Sequence, residues 1–101
     1  MRKFILDDDG NPVACDDILE WGRWLAKSGV VRVVAQEHIG DVFVSTVFLG
    51  MDHSWGPGGS APILWETMIF GGEHDKYMDR YTSRADADKG HADAIAMVKG
   101  S

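Results

Sequence analysis

Several things are scarce in this chain, and each scarcity removes a class of protein. Cys15 is the only cysteine. No internal disulfide can form, and no cysteine pair exists to hold zinc. No Lys or Arg occurs between Arg32 and Lys76, while the same stretch holds six acidic residues. A nucleic-acid surface needs a clustered basic footprint. With a formal net charge of −6, direct binding of DNA or RNA through the middle of the chain is not expected, nor is adhesion to an anionic membrane. No apolar run approaches the roughly 20 residues that cross a bilayer. The first residues carry a basic pair, Arg2 and Lys3, but only Phe4, Ile5 and Leu6 before the acidic run Asp7–Asp9, which is not the pattern of a secretory signal. The expectation is a protein of a reducing, intracellular compartment, without a membrane segment.

Motifs of cofactor and metal chemistry are missing as well. There is no His-x-His and no His-Glu-x-x-His. The run Gly56-Pro-Gly-Gly59 lacks the Gly-Lys-Ser/Thr that makes a phosphate loop. No cofactor and no metal are expected. Cys15 precedes Asp16 and Asp17, an acidic setting that disfavours the thiolate, so it is not read as a nucleophile.

The 101 residues form one domain, 1–101. Residues 2–6 read as a short strand, and the turn formers from Asp7 to Pro12 return the chain through 13–15 as a small hairpin. Asp16 or Asp17 caps a helix over 18–27, with Ile18, Trp21, Gly22 and Leu25 on one stripe and Leu19 and Trp24 widening it. Ser28-Gly29 ends it. Residues 30–37, rich in β-branched side chains, and 42–51 form a hairpin about the turn 38–41. Residues 63–70 pair antiparallel with 42–51, and 77–81 form a last short strand or turn. Ser83 starts a final helix, with Ala87, His91, Ala94, Ile95 and Val98 on one face and Gly90 kept for close packing. The fold class is α+β: an antiparallel sheet of four to five strands in the order ββα-βββ-α, with two helices mainly on one face.

The middle strands do not alternate as a sheet wetted on one side should. Phe43, Val47 and Leu49 oppose Val42, Val44 and Phe48, and Leu64, Met68 and Phe70 oppose Ile63, Trp65 and Ile69. Two short helices cannot cover both faces. The uncovered apolar face predicts self-association as a dimer or higher oligomer, unless the loop 52–62 folds back over it.

That loop, together with the link 71–76, holds the candidate site residues. Half of the 12 glycines lie from Gly50 to Gly72, and a long strand connection carrying Asp52, His53 and Trp55 is a place where function could sit. Trp55 is the kind of side chain that anchors an interface. With Glu73 and His74 these residues make the expected interaction surface. A rival reading draws His53, His74 and Glu66 together as a small metal-dependent or acid–base enzyme. Against it, His53 and His74 sit at opposite ends of the strand 63–70. A carboxylate at Glu66, on a strand face, more often answers a backbone N–H, an Arg or a Tyr. His91 reads as a core-rim histidine bonded to backbone or to Tyr.

The blocks Val44–His53 (VSTVFLGMDH), Trp65–Gly72 (WETMIFGG) and Arg80–Ala92 (RYTSRADADKGHA), with a weaker match over Lys3–Asp7, resemble a family of small uncharacterised proteins of tailed phages and prophages. Where relatives approach the second block through Gly-Pro-Pro-Leu-Leu, this chain has Ser60-Ala-Pro-Ile-Leu64. The resemblance implies a phage-encoded protein working in the host cytoplasm. The expectation is therefore a non-enzymatic accessory protein that binds a host protein, in a defence or anti-defence role, and self-associates. A structural, virion-associated oligomer is the further alternative.

Overall fold

The structure, a computed structural model, describes residues 2–54 and 61–100. Within them the chain runs β1 (Phe4–Leu6), β2 (Pro12–Ala14), α1 (Ile18–Lys27), β3 (Val33–Ile39), β4 (Val42–Phe48), β5 (Trp65–Phe70), β6 (Met78–Tyr81) and α2 (Arg84–Lys99). β1 and β2 form a two-stranded antiparallel hairpin, and β3-β4-β5-β6 form a four-stranded antiparallel meander. The class is α+β, as the sequence suggests. No helix among the described residues is long and apolar enough to cross a membrane.

α2 lies on one face of the meander and touches all four of its strands. Its start is fixed by Ser83, whose hydroxyl accepts from the Asp86 amide at 3.0 Å and so satisfies one of the orphan donors of a first turn. It packs through small residues: Ala87, Gly90 and Ala94 are buried. Gly90 has to be glycine, because a Cβ there would overlap the ring and hydroxyl of Tyr81. That close approach seals the face lined by Val44, Phe48, Trp65, Ile69 and Tyr81, all of them buried. Phe48 is the hinge of the core. It meets Trp65 edge-on at 5.4 Å and Trp24 of α1 at 5.9 Å.

The N-terminal hairpin and α1 hang from the end of β4 by a few definite bonds. The Gly50 carbonyl accepts from the Phe4 amide at 2.9 Å and from the Trp21 indole at 3.0 Å. Gly50 has φ +79, and a Cβ would stand 3.0 Å from Leu25, so glycine serves both the turn and the contact. Asp17 caps α1, accepting from the Leu19 and Glu20 amides.

Three sequence expectations need correction. Ile18 and Leu19 are not on a packed stripe: both are exposed, and no residue of α1 is buried. Helix α1 rests on β1 and reaches the core only through Trp21, Trp24 and Leu25. Next, β3 begins at Val33, not at Val30. The Arg32 amide bonds back to the Ser28 carbonyl at 2.9 Å, and its guanidinium reaches the Leu25 carbonyl at 3.2 Å. Residues 28–32 thus close the C-terminus of α1, and Val30 and Val31 are left in solvent. Finally, β5 begins at Trp65. Ile63 and Leu64 are bonded individually to Asp52, His53, Leu49 and Tyr81, and Leu64 is buried rather than on the face of Met68 and Phe70.

Candidate functional site

With Val44, Thr46 and Phe48 buried under α2 on β4, and Trp65, Thr67 and Ile69 beside them on β5, strand alternation turns Phe43, Ser45 and Val47, and Glu66, Met68 and Phe70, to the other face. Pairing extends this outer face into three rows. His38, Phe43 and Phe70 form an aromatic row, with ring centroids 4.6 and 6.0 Å apart. Gln36, Ser45, Met68 and Met78 form a middle row, in which the Gln36 amide donates to Ser45 Oγ at 2.9 Å. Val33, Val47, Glu66 and Arg80 form the last, closed by the bond from Arg80 Nε to Glu66 Oε2 at 2.9 Å. Phe70 is 44% and Met78 46% exposed. Among the described residues no helix or hairpin packs on these rows. Sequence alternation shows Phe43, Val47, Met68 and Phe70. It misses His38, Met78 and Arg80, whose place depends on register.

The expected interaction residues divide between the two ends of the sheet. Asp52 and His53 lie just past β4, beside β1. Glu73 and His74 lie in the turn after β5, which the Asp75 carboxylate closes by accepting from the Gly71 amide at 2.7 Å. The two pairs are separated by the length of β5, about 20 Å, and do not form one surface patch. Trp55 lies outside the described residues. Asp52 proves to be a structural clamp. Its Oδ1 accepts from the Ser54 and Ile63 amides at 2.8 and 2.9 Å, and its Oδ2 pairs with Arg2 at 2.8 Å. Burial pushes its pKa up, but bonds from Ser54, Ile63 and Arg2 outweigh this and hold the carboxyl well below the usual carboxylate range.

His53, His74 and Glu66 are likewise not brought together. The histidines take opposite ends of β5, and Glu66 faces outward against Arg80. Among the described residues no group of three His, Cys, Asp or Glu could hold a metal ion. A cleft of about 310 Å3 opens between β6 and α2, lined by Asp79, Asp86, Asp93 and Lys89 among others. Lys89 reaches Asp93 at 3.3 Å across one helical turn.

One arrangement of polar side chains went unread in the sequence. His91 is buried and bonds neither to backbone nor to Tyr. Its Nδ1 lies 2.7 Å from Thr46 Oγ1, and its Nε2 lies 2.9 Å from Glu37 Oε1. Thr46 in turn shares a 2.6 Å bond with Thr67. Both threonines are fully buried, so the row Glu37–His91–Thr46–Thr67 satisfies polar groups beneath α2 and offers no hydroxyl to a substrate. No family model, curated protein or solved structure matches the chain.

Proposed function

We propose that the chain is a non-enzymatic accessory protein, of the phage type its sequence blocks resemble, which acts in the host cytoplasm by binding protein chains: a host protein and further copies of itself. The observation that carries this reading is the outer sheet face, an apolar and aromatic surface three rows deep with no described element over it. An ordered aromatic row with an ion pair at its far edge is the composition of a contact surface, rich in the residue types that anchor interfaces and poor in lysine. The Glu37–His91–Thr46 triplet resembles a catalytic array in residue type only, because its hydroxyl is sealed from solvent.

The test is capture from a bacterial host lysate at nanomolar concentration of tagged chain, where self-association is negligible, with wild type and Phe70→Asp side by side. A host protein identified by mass spectrometry, held by wild type and lost by the variant, is the expected result. Equal capture by both, or by neither, overturns the reading.

A further inference from the structure

We propose that the cleft between β6 and α2 is a binding site for a small linear polyamine, set apart from the outer face and from the protein contacts proposed there. The cleft has a volume of about 310 Å3, at the lower end of small-molecule sites. Its floor holds a polar group with nothing to bond. Tyr81 is 9% exposed, and its hydroxyl is buried with no hydrogen-bond partner among the described residues, which is rare for a buried polar atom. The hydroxyl lies against Gly90, so close that a Cβ there would overlap it, and both residues line the cleft. Residues three and four apart share a helix face, so Asp86, Gly90 and Asp93 form one stripe of α2. The missing side chain at Gly90 leaves a gap between two carboxylates, and the Tyr81 hydroxyl is directed to that gap.

The walls carry the charge of a cation site. Asp79 shares a face of β6 with Tyr81, two residues away, and Asp86 and Asp93 flank Gly90. Of the two bases lining the cleft, Arg80 is bonded outward to Glu66 at 2.9 Å and Lys89 reaches Asp93 at 3.3 Å. Asp79 and Asp86 are left without a cation among the described residues. Burial first, and then Asp79 and Asp93, raise the pKa of Tyr81, so the phenol is neutral and its oxygen free to accept. An ammonium group only donates. It suits a carboxylate through charge-assisted bonds and the phenol through an N–H···O bond beside the ring. The carboxylates are spread out, with Asp86 and Asp93 two turns or about 10.5 Å apart along the helix. Among the described residues no three such groups close on a single metal ion. Several ammonium groups spaced by methylenes fit that spread better than one point charge.

Isothermal titration calorimetry of the full chain with spermidine tests this. Wild type is expected to bind one spermidine per chain, more tightly than it binds magnesium ion or a trilysine peptide. Asp86→Asn with Asp93→Asn, both at exposed positions, is expected to weaken binding about tenfold or more. Asp8→Asn with Asp9→Asn removes the same charge from the exposed turn between β1 and β2 and is expected to leave binding unchanged. Tyr81→Phe is expected to weaken binding about threefold or more, without destabilising the free chain, because the hydroxyl has no partner to lose. If Tyr81→Phe does not fold by circular dichroism, the two paired Asp variants decide. A wild type that binds no spermidine overturns the proposal, as do equal losses in the two paired variants or a folded Tyr81→Phe that binds like wild type. Magnesium ion bound as tightly would mean a site for charge alone, and trilysine bound as tightly a site for basic peptide; either overturns the free polyamine. Phe70→Asp is expected to bind spermidine as wild type does, so failure here leaves the outer-face reading standing.

Discussion

Thr46 Oγ1 stands 2.7 Å from His91 Nδ1, joining the central strand to the last helix inside a completely buried setting. An ionised Glu37 can only accept, so it takes the Nε2 proton. In the neutral ring Nδ1 then accepts the Thr46 hydroxyl, and Thr46 accepts from Thr67. Every group has a partner, but only while all are present. Thr46→Val removes the hydroxyl and strands Nδ1, an expected cost of about 1–3 kcal/mol in urea unfolding. Thr46→Val with His91→Leu is expected to cost clearly less than the sum of the two single changes, since the pair shares one network. Strict additivity would show that the row does not act as a unit.

Two glycines in helices predict opposite outcomes for one substitution. Gly22 on α1 has nothing within 4 Å of an added Cβ, whereas Gly90 on α2 has the Tyr81 ring and hydroxyl there. Helix propensity favours alanine over glycine by up to about 1 kcal/mol. Gly22→Ala is therefore expected to raise the melting temperature. Gly90→Ala must move α2 off the sheet and is expected to cost about 1–3 kcal/mol. A stabilised Gly90→Ala would mean that α2 sits further from β6 than described.

Much of the fold is legible in the sequence because its signals are local. The Asp17 and Ser83 caps, the β-branched runs and the turn formers each act within a few residues. The outer apolar face is legible for the same reason, since alternation along β4 and β5 needs no partner to be read. Lost are the features set by register and crossing. Thr46 and Thr67 read as polar interruptions of strands until pairing sets them side by side under His91. Arg80 reads as an exposed base until β6 brings it to Glu66. Asp52 and Glu73 read as one surface because the sequence shows loops but not the sheet end from which each departs.

Alkaline pH is expected to loosen the contact between β6 and α2. Burial raises the pKa of Tyr81, opposed by the neighbouring Thr67 hydroxyl and reinforced by Asp79, Tyr77 and Asp93. Tyr77 is raised in the same direction by burial and by Asp79 and Asp93. A phenol whose folded pKa lies above its unfolded value, about 10, contributes stability that is full below that value and is lost as pH rises through the folded one. Unfolding free energy should thus fall above about pH 10, and Tyr81→Phe should make that fall shallower. An identical alkaline slope in Tyr81→Phe would rule Tyr81 out as its source.

Asp52 governs the acid side with the reverse sign. Its folded pKa is depressed, so its contribution is complete above the unfolded value, about 3.9, and is lost as pH falls through the folded one. The carboxylate ties three segments at once: Arg2 ahead of β1, Ser54 after β4, and Ile63 ahead of β5. Asp52→Ala leaves two amides without an acceptor and is expected to cost about 1–3 kcal/mol at neutral pH. Asp52→Asn keeps an oxygen for those amides and loses only the charge facing Arg2, so its cost at pH 7 should be smaller. The difference between wild type and Asp52→Asn should narrow as pH drops below about 4, because the unfolded carboxylate takes up a proton there while the folded one still holds its charge. Chemical unfolding at pH 7, 4 and 3 separates the cases. A gap that stays constant over this range would show that the clamp works by shape alone, and that the Arg2 ion pair adds nothing to it.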